Sequence, residues 1–174
     1  MRHLTPSDYR RMPWANGRGT TVELLREEGP QGLLLRLSMA SVVEDGPFSL
    51  FPAIERNLTV ISGPGFRLEG AGFSLPCTPL VPVAFPGDMQ VQAVGTGGVA
   101  SEDFNVMTAR ALPRPEVSVE GSDTALAAGG RLYIFALGEG NVAGRAMRRH
   151  ELIVTEGPVR IDGPGSVIAV RVFR

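Results

Sequence analysis

No lysine occurs among the 174 residues; all 17 basic side chains are arginine. Schiff-base formation and lysine general-base chemistry are therefore excluded. There is one cysteine, Cys77, so no internal disulfide can form, and a lone thiol fits a reducing, cytoplasmic setting. The two histidines, His3 and His150, lie far apart, and there is no H-x-H, H-x-x-x-H or C-x-x-C pair. Neither a transition-metal site nor a Ser-His-Asp or Cys-His system is expected, and no cofactor is implied. No apolar run nears the ~18 residues that span a bilayer. Met1–Asp8 lacks the apolar core of a secretory leader, so a membrane is not an expected partner. An excess of one charge sign is also missing: 17 arginines against 18 acids give a net charge of −1. That balance fits neither a dedicated nucleic-acid binder nor a disordered polyelectrolyte.

What the chain does have is turn residues: 22 glycines and 14 prolines, spread throughout. They leave little room for helices. The helix-sized gaps near 5–12 and 98–108 show no 3.6-residue apolar period. Short apolar or alternating runs between turns read as strands: Thr20–Arg26, Leu33–Ser41, Leu58–Ser62, Phe66–Glu69, Met89–Val94, Val106–Leu112, Arg131–Leu137, His150–Thr155, Val159–Asp162 and Val167–Phe173. Ten to twelve strands with tight turns predict an all-β sandwich or closed barrel. The second half echoes the first. Leu58-Thr59-Val60-Ile61 resembles Leu132-Tyr133-Ile134-Phe135, and Phe85–Ala93 resembles Thr155–Asp162. Each half closes on an apolar strand, Asp103–Arg110 or Ser166–Phe173. Two compact β-barrels are expected, 1–110 and 111–174, with strands exchanged between them.

Three segments are dense in chemistry. In Pro13–Glu23, glycines alternate with Asn16 and Arg18 and lead into a strand carrying Thr21 and Glu23; this is either an anion-binding concavity or a Gly-rich hairpin turn. Glu44–Val60 is a segment whose loop is stiffened by Pro47 and Pro52; it carries Phe48 and delivers Glu55-Arg56 to an apolar strand. A charge there needs a partner, either Glu55, Glu23 or Asp103, or a ligand carboxylate held by the guanidinium fork. In Glu102–Arg110, alternation puts Asp103, Asn105 and Met107 on one face, a hydrogen-bonding surface or a solvent-facing edge. Likewise Arg36, Ser38 and Ala40 share a face opposite Leu35, Leu37 and Met39. Arg10-Arg11, Arg145 and Arg148-Arg149 read as solvated clusters, and His150 as a surface residue.

Six motifs in order resemble the HutD/Ves family: Pro13-Trp14-Ala15-Asn16-Gly17-Arg18-Gly19-Thr20-Thr21, Arg36-Leu37-Ser38, Asp45-Gly46-Pro47-Phe48-Ser49, Phe51-Pro52-Ala53-Ile54-Glu55-Arg56, Phe85-Pro86-Gly87-Asp88 and Asp103-Phe104-Asn105-Val106-Met107. They span roughly residues 12–110; beyond that the resemblance is general. It implies a metal-free, cupin-like (RmlC-type) β-barrel, duplicated in one chain as a bicupin. It also implies association with histidine utilisation, through binding of a small pathway metabolite. The family's Pro-Trp-Lys-Asn-Gly-Gly-Gly-Thr departs here at Ala15 and Arg18, moving a positive charge three residues along, and Leu35 stands where the family often has Trp.

The resulting expectation is a cytoplasmic binding protein for a small anionic or amide-bearing metabolite. Arg56 would take its carboxylate, with Asn16 and Asn105 giving amide hydrogen bonds. Thr21, Arg36, Ser38 and Asp103 would line the pocket, with Phe48 as its apolar wall. The alternative is a metal-free isomerase, hydrolase or lyase using Asp103 or Glu23 as general acid or base. A homodimeric interaction module is a third reading.

Overall fold

The computed structural model describes every residue except Asn16, Arg18 and Arg174. It is all-β: among the described residues the one helical element is a 3-10 turn, Pro6–Asp8. The strands are β1 (Arg2–Leu4), β2 (Arg10–Pro13), β3 (Thr20–Gly29), β4 (Gly32–Val42), β5 (Gly46–Pro47) and β6 (Ile54–Ser62). Then come β7 (Phe66–Gly70), β8 (Phe73–Cys77), β9 (Val83–Pro86), β10 (Gln92–Val94), β11 (Ser101–Ala109), β12 (Glu116–Glu120) and β13 (Thr124–Leu126). The last are β14 (Arg131–Ala136), β15 (Gly140–Val142), β16 (Arg145–Met147), β17 (Leu152–Thr155), β18 (Val159–Asp162) and β19 (Val167–Val172). The expected ten to twelve strands undercount these, because several are short and end in turn residues: β8 contains Pro76, β9 ends at Pro86, and β5 is Gly-Pro.

Two compact units result: a central one, Arg10–Ala111, and a terminal one, Met1–Tyr9 with the residues from Leu112 onward. The division at 110/111 had put Met1–Tyr9 with the first unit. They belong to the terminal one because Arg2, His3 and Leu4 pair with Val154, Ile153 and Leu152. Tyr9 Oη also donates to the His150 carbonyl at 2.6 Å.

The central unit has a six-stranded sheet, β2-β3-β4-β11-β6-β9, and a four-stranded one, β5-β10-β7-β8. The terminal unit has a five-stranded sheet, β1-β17-β14-β19-β12, and a four-stranded one, β13-β18-β15-β16. Adding eight to each strand number turns β9-β6-β11-β4 into β17-β14-β19-β12, and β5-β10-β7-β8 into β13-β18-β15-β16. The three sequence echoes fall on strands related by this shift: β6 and β14, β9–β10 and β17–β18, β11 and β19.

Closed barrels were expected; the ladders instead leave two open sheets in each unit. What joins the two sheets is side chains. In the central unit Leu58, Val60 and Phe85 of one sheet cluster with Phe66, Leu68, Cys77 and Ala93 of the other. In the terminal unit Leu132, Ile134, Ile153 and Ala169 cluster with Val142, Met147, Val159 and Ile161. Each large apolar side chain so buried stabilises by roughly 1.5–3 kcal/mol. The turn after β6 shows how close the backbones run. Gly63 has φ +86°, and a Cβ there would lie 2.3 Å from the Ala100 carbonyl oxygen. Only glycine fits.

Candidate functional site

The six-stranded sheet aligns polar side chains in ladder rows across its inner face. In one row Arg36 of β4, Met107 of β11, Arg56 of β6 and Phe85 of β9 stand side by side. In the next, Glu23 of β3, Ser38 of β4, Asn105 of β11 and Leu58 of β6 do the same. A third row holds Ala40, Asp103 and Val60. Neighbouring strands are about 4.8 Å apart, so residues more than 60 positions apart in sequence become contacts. The period of two inferred from the sequence holds in both β4 and β11. Of its two readings for Asp103 and Asn105, the buried hydrogen-bonding surface is the one the structure has. A β-bulge between Glu23 and Leu25 turns Glu23 inward while Leu25 pairs with Leu37 on the other face.

Four of these groups are ionisable and buried: Glu23, Arg36, Arg56 and Asp103. Arg36 Nε donates to Glu23 Oε2 at 2.7 Å, and Arg36 Nη1 lies 3.8 Å from Met107 Sδ. Arg56 is different. Its expected carboxylate partners are engaged elsewhere or stand off: Glu23 holds Arg36, and Glu55 accepts from Arg110 Nε at 2.7 Å. Among the described residues Arg56 forms no ion pair. Its Nη2 donates to Asn105 Oδ1 at 2.8 Å, and Asn105 Nδ2 donates on to Asp103 Oδ1. Arg56 Nε is buried and without a hydrogen-bond partner. Two other such atoms are found among the described residues, on Asn57 and Thr59.

Three aromatic rings surround the Arg56 guanidinium: Phe48, Phe51 and Phe85, with centroids 5.1, 5.5 and 5.0 Å from Cζ. Such contacts stabilise a cation without giving it an acceptor. Burial pushes the Arg56 guanidinium down to about 10, with Asp103 pulling the other way, so it stays charged at neutral pH. Burial pushes Asp103 up to about 7, opposed by Arg56 and the Asn105 amide.

The loops that carry the rings are pinned by polar contacts. Asp45 Oδ1 accepts from the Thr96 backbone N–H at 3.0 Å and from its hydroxyl at 2.7 Å, which fixes the approach to Phe48. Gly87 N–H donates to the Ile54 carbonyl at 2.7 Å, and Phe51 N–H to the Gly87 carbonyl at 2.8 Å. Arg110 Nη1 and Nη2 grip the two oxygens of Asp88, each at 2.8 Å. The Phe85-Pro86-Gly87-Asp88 and Phe51–Arg56 motifs thus set Phe51 and Phe85 against Arg56. Both aromatics, and Met107, were missed as site residues, although they sit inside motifs already singled out.

Of the residues expected in the site, Arg36, Ser38, Phe48, Arg56, Asp103 and Asn105 converge in this way. Thr21 is nearby on β3, but its Oγ1 accepts a hydrogen bond from Trp14 Nε1 at 2.8 Å, so it holds the preceding loop in place. Gly19 lets that ring lie flat against the backbone; a Cβ there would be 2.8 Å from Trp14 Cε3. Asn16 lies outside the described residues. His150, expected at the surface, is half-buried with its ring stacked 5.6 Å from Phe135, in the terminal unit. Among the described residues no group of three or more His, Cys, Asp or Glu side chains could hold a metal ion. No helix among them is long and apolar enough to cross a membrane.

Comparison with known proteins bears on this arrangement. The family model described as HutD matches residues 6–167. A relative from Pseudomonas putida, described as an uncharacterized 21.2 kDa protein in the hutC 3' region, is 35% identical over 97% of this chain and 90% of its own. A conserved protein of unknown function from Pseudomonas aeruginosa PAO1 superimposes with a TM-score of 0.86 at 30% identity, covering 99% of this chain and 98% of that one. HutD from Pseudomonas fluorescens SBW25, in a structure described as a formate condition, gives 0.86 at 28% identity over 99% of both chains. A Cupin 2 conserved barrel protein from Leptotrichia buccalis, at 10% identity and a TM-score of 0.55, shares the fold, covering 94% of this chain and 96% of its own.

Proposed function

The chain belongs to the HutD family, and on that premise we propose that it is a non-enzymatic binder of a small carboxylate, a metabolite of histidine catabolism or a related anion, that senses or moderates its level in the cytoplasm. The family is linked to histidine utilisation. The observation that carries the reading is the Arg56 guanidinium. It is a buried cation with a neutral hydrogen-bond partner, an unused Nε donor and a wall of three phenyl rings. A cation enclosed this way selects an anion with a small apolar body, and a few convergent polar groups in an apolar wall are what ligand sites are made of. We read the two units as a duplicated bicupin, with the central unit carrying the site; the strand order that recurs on adding eight supports this.

Formate is the first probe, because it is the smallest carboxylate and the Pseudomonas fluorescens structure is described as a formate condition. Histidine, urocanate, formiminoglutamate and glutamate complete the panel. A ligand at a hundredfold excess over its Kd stabilises the folded state by about 2.7 kcal/mol, well within reach of a thermal-shift measurement. Arg56→Ala should weaken binding about ten- to a hundredfold, and Arg56→Lys should restore only part of it. Unchanged affinity in Arg56→Ala would remove Arg56 from the site.

One observation favours the enzyme alternative. Asp103, held up near 7, is the kind of group that serves as a general acid at neutral pH. Glu23 is less suited, with Oε2 taken by Arg36. Product formation from any bound acid, lost in Asp103→Asn, would favour catalysis; unaltered ligand recovered after long incubation would favour binding.

A further inference from the structure

The charge on the inner face of the central unit is balanced before any ligand arrives. Arg36 and Glu23 neutralise each other through their 2.7 Å contact. Arg56 and Asp103 do not touch: Asn105 stands between them, accepting from one and donating to the other. Among the described residues, the Asn105 amide is the one hydrogen-bond partner of the Asp103 carboxylate, which is 1% exposed.

A ligand carboxylate on Arg56 brings a third negative charge to a space with two positive ones. Building on the Arg56 reading above, we infer that the site takes a carboxylic acid as its anion plus one proton from solvent, and that Asp103 accepts the proton. The balance is simple: the ligand anion pairs with Arg56, the Asp103 carboxylate becomes a carboxylic acid, and the net charge of the four groups and the ligand stays at zero.

Among the described residues, no other group on the surrounding strands is placed to take that proton. On β3, Glu23 is held by Arg36 of β4. On β6 the facing group is Arg56 itself. On β8 the Cys77 thiol, buried and repelled by Asp103, is pushed up to about 12 and already carries its proton. On β11 the neighbouring Glu102 alternates to the other face, where Ser62 donates to it at 2.8 Å. Asp103 is poised by its burial, and Arg56 holds it back. An anion on Arg56 cancels that restraint and adds repulsion, so both effects drive Asp103 toward its protonated form.

The test is calorimetric titration of the whole chain with sodium formate from pH 5.5 to 8.5, in pairs of buffers that differ in ionisation enthalpy. The wild-type protein should take up a fraction of a proton per formate at neutrality, rising toward one by about pH 8. Its affinity should fall by up to about tenfold per pH unit there. Asp103→Asn should bind formate with no proton uptake and with an affinity that does not vary with pH. Formate binding by the wild type without proton uptake, at a pH-independent Kd, overturns this inference and leaves the binding reading standing. No binding at any pH of formate or of any other acid in the panel overturns both. The wild-type measurement needs no variant to fold.

Discussion

In the central unit β6 and β11 turn Arg56, Asp103 and Asn105 toward the facing sheet. In the terminal unit β14 and β19 hold the corresponding places, and their contents differ. Leu58 pairs with Asn105, and Leu132 with Arg171, so aligning Leu58 with Leu132 sets Gly130, Ala169 and Arg171 opposite Arg56, Asp103 and Asn105. The guanidinium position becomes a glycine and the acid an alanine. The Arg171 guanidinium is spent on the carbonyls of Ala127 and Gly129 and on Glu116. The terminal interior is a continuous apolar cluster running from Leu132 to Ala169. Buried charges lower stability unless fully paired, so one strand order is filled in two ways: an apolar interior in the terminal unit and a charged one in the central unit.

The severest way to break this contrast is to carry the acid across. Ala169→Asp would put a carboxylate among Leu132, Ile134 and Ile153 with no Arg56 beside it. The expected cost is roughly 5 kcal/mol or more, seen as loss of a cooperative urea transition for that unit. Next in size is the closed Arg36–Glu23 ion pair of the central interior. Glu23→Ala leaves Arg36 buried with Met107 sulfur as its neighbour and should cost about 3 kcal/mol in denaturant unfolding; a loss below 0.5 kcal/mol would mean the pair is solvated.

A third test sharpens the contrast by pH. Asp103 is raised in the folded state, to about 7, above the ordinary value of 3.8. The folded protein therefore holds a proton that the unfolded chain has released, and stability falls as pH rises between about 4 and 7. The slope is at most about 1.4 kcal/mol per pH unit, and the contribution is fully present below pH 4. Asp103→Asn should remove this slope, and urea midpoints measured across the window report it directly. The smallest effect is expected at the surface of the terminal unit. Arg160 bonds Asp162 and Asp123 in the open, and Arg160→Ala should change stability by less than about 1 kcal/mol.

The β-class was legible because glycine and proline punctuate the chain throughout and the longer stretches between them carry no 3.6-residue apolar period. Site faces were legible where a strand alternated without interruption, as in Leu33–Ser41 and Asp103–Thr108. The Arg56 partner was not, because it is set by cross-strand register. Asn105 is 49 positions away, and no local spacing distinguishes it from Glu55 or Glu23. Phe85 reaches Arg56 the same way, as its ladder partner on β9. The tie between the first residues and β17 left no local signal either: Leu4 is buried, but nothing near it in sequence says by what.

That tie bears on how the protein is made. Arg2 pairs with Val154, so β1 leaves the ribosome well ahead of a partner 152 positions later. At about 5–20 residues per second the interval is roughly 8–30 s. Arg10–Ala111 is contiguous and has all its ladders in hand once Ala111 has emerged. During synthesis the half with charges in its interior is therefore complete first, and the apolar half closes only when β1 meets β17.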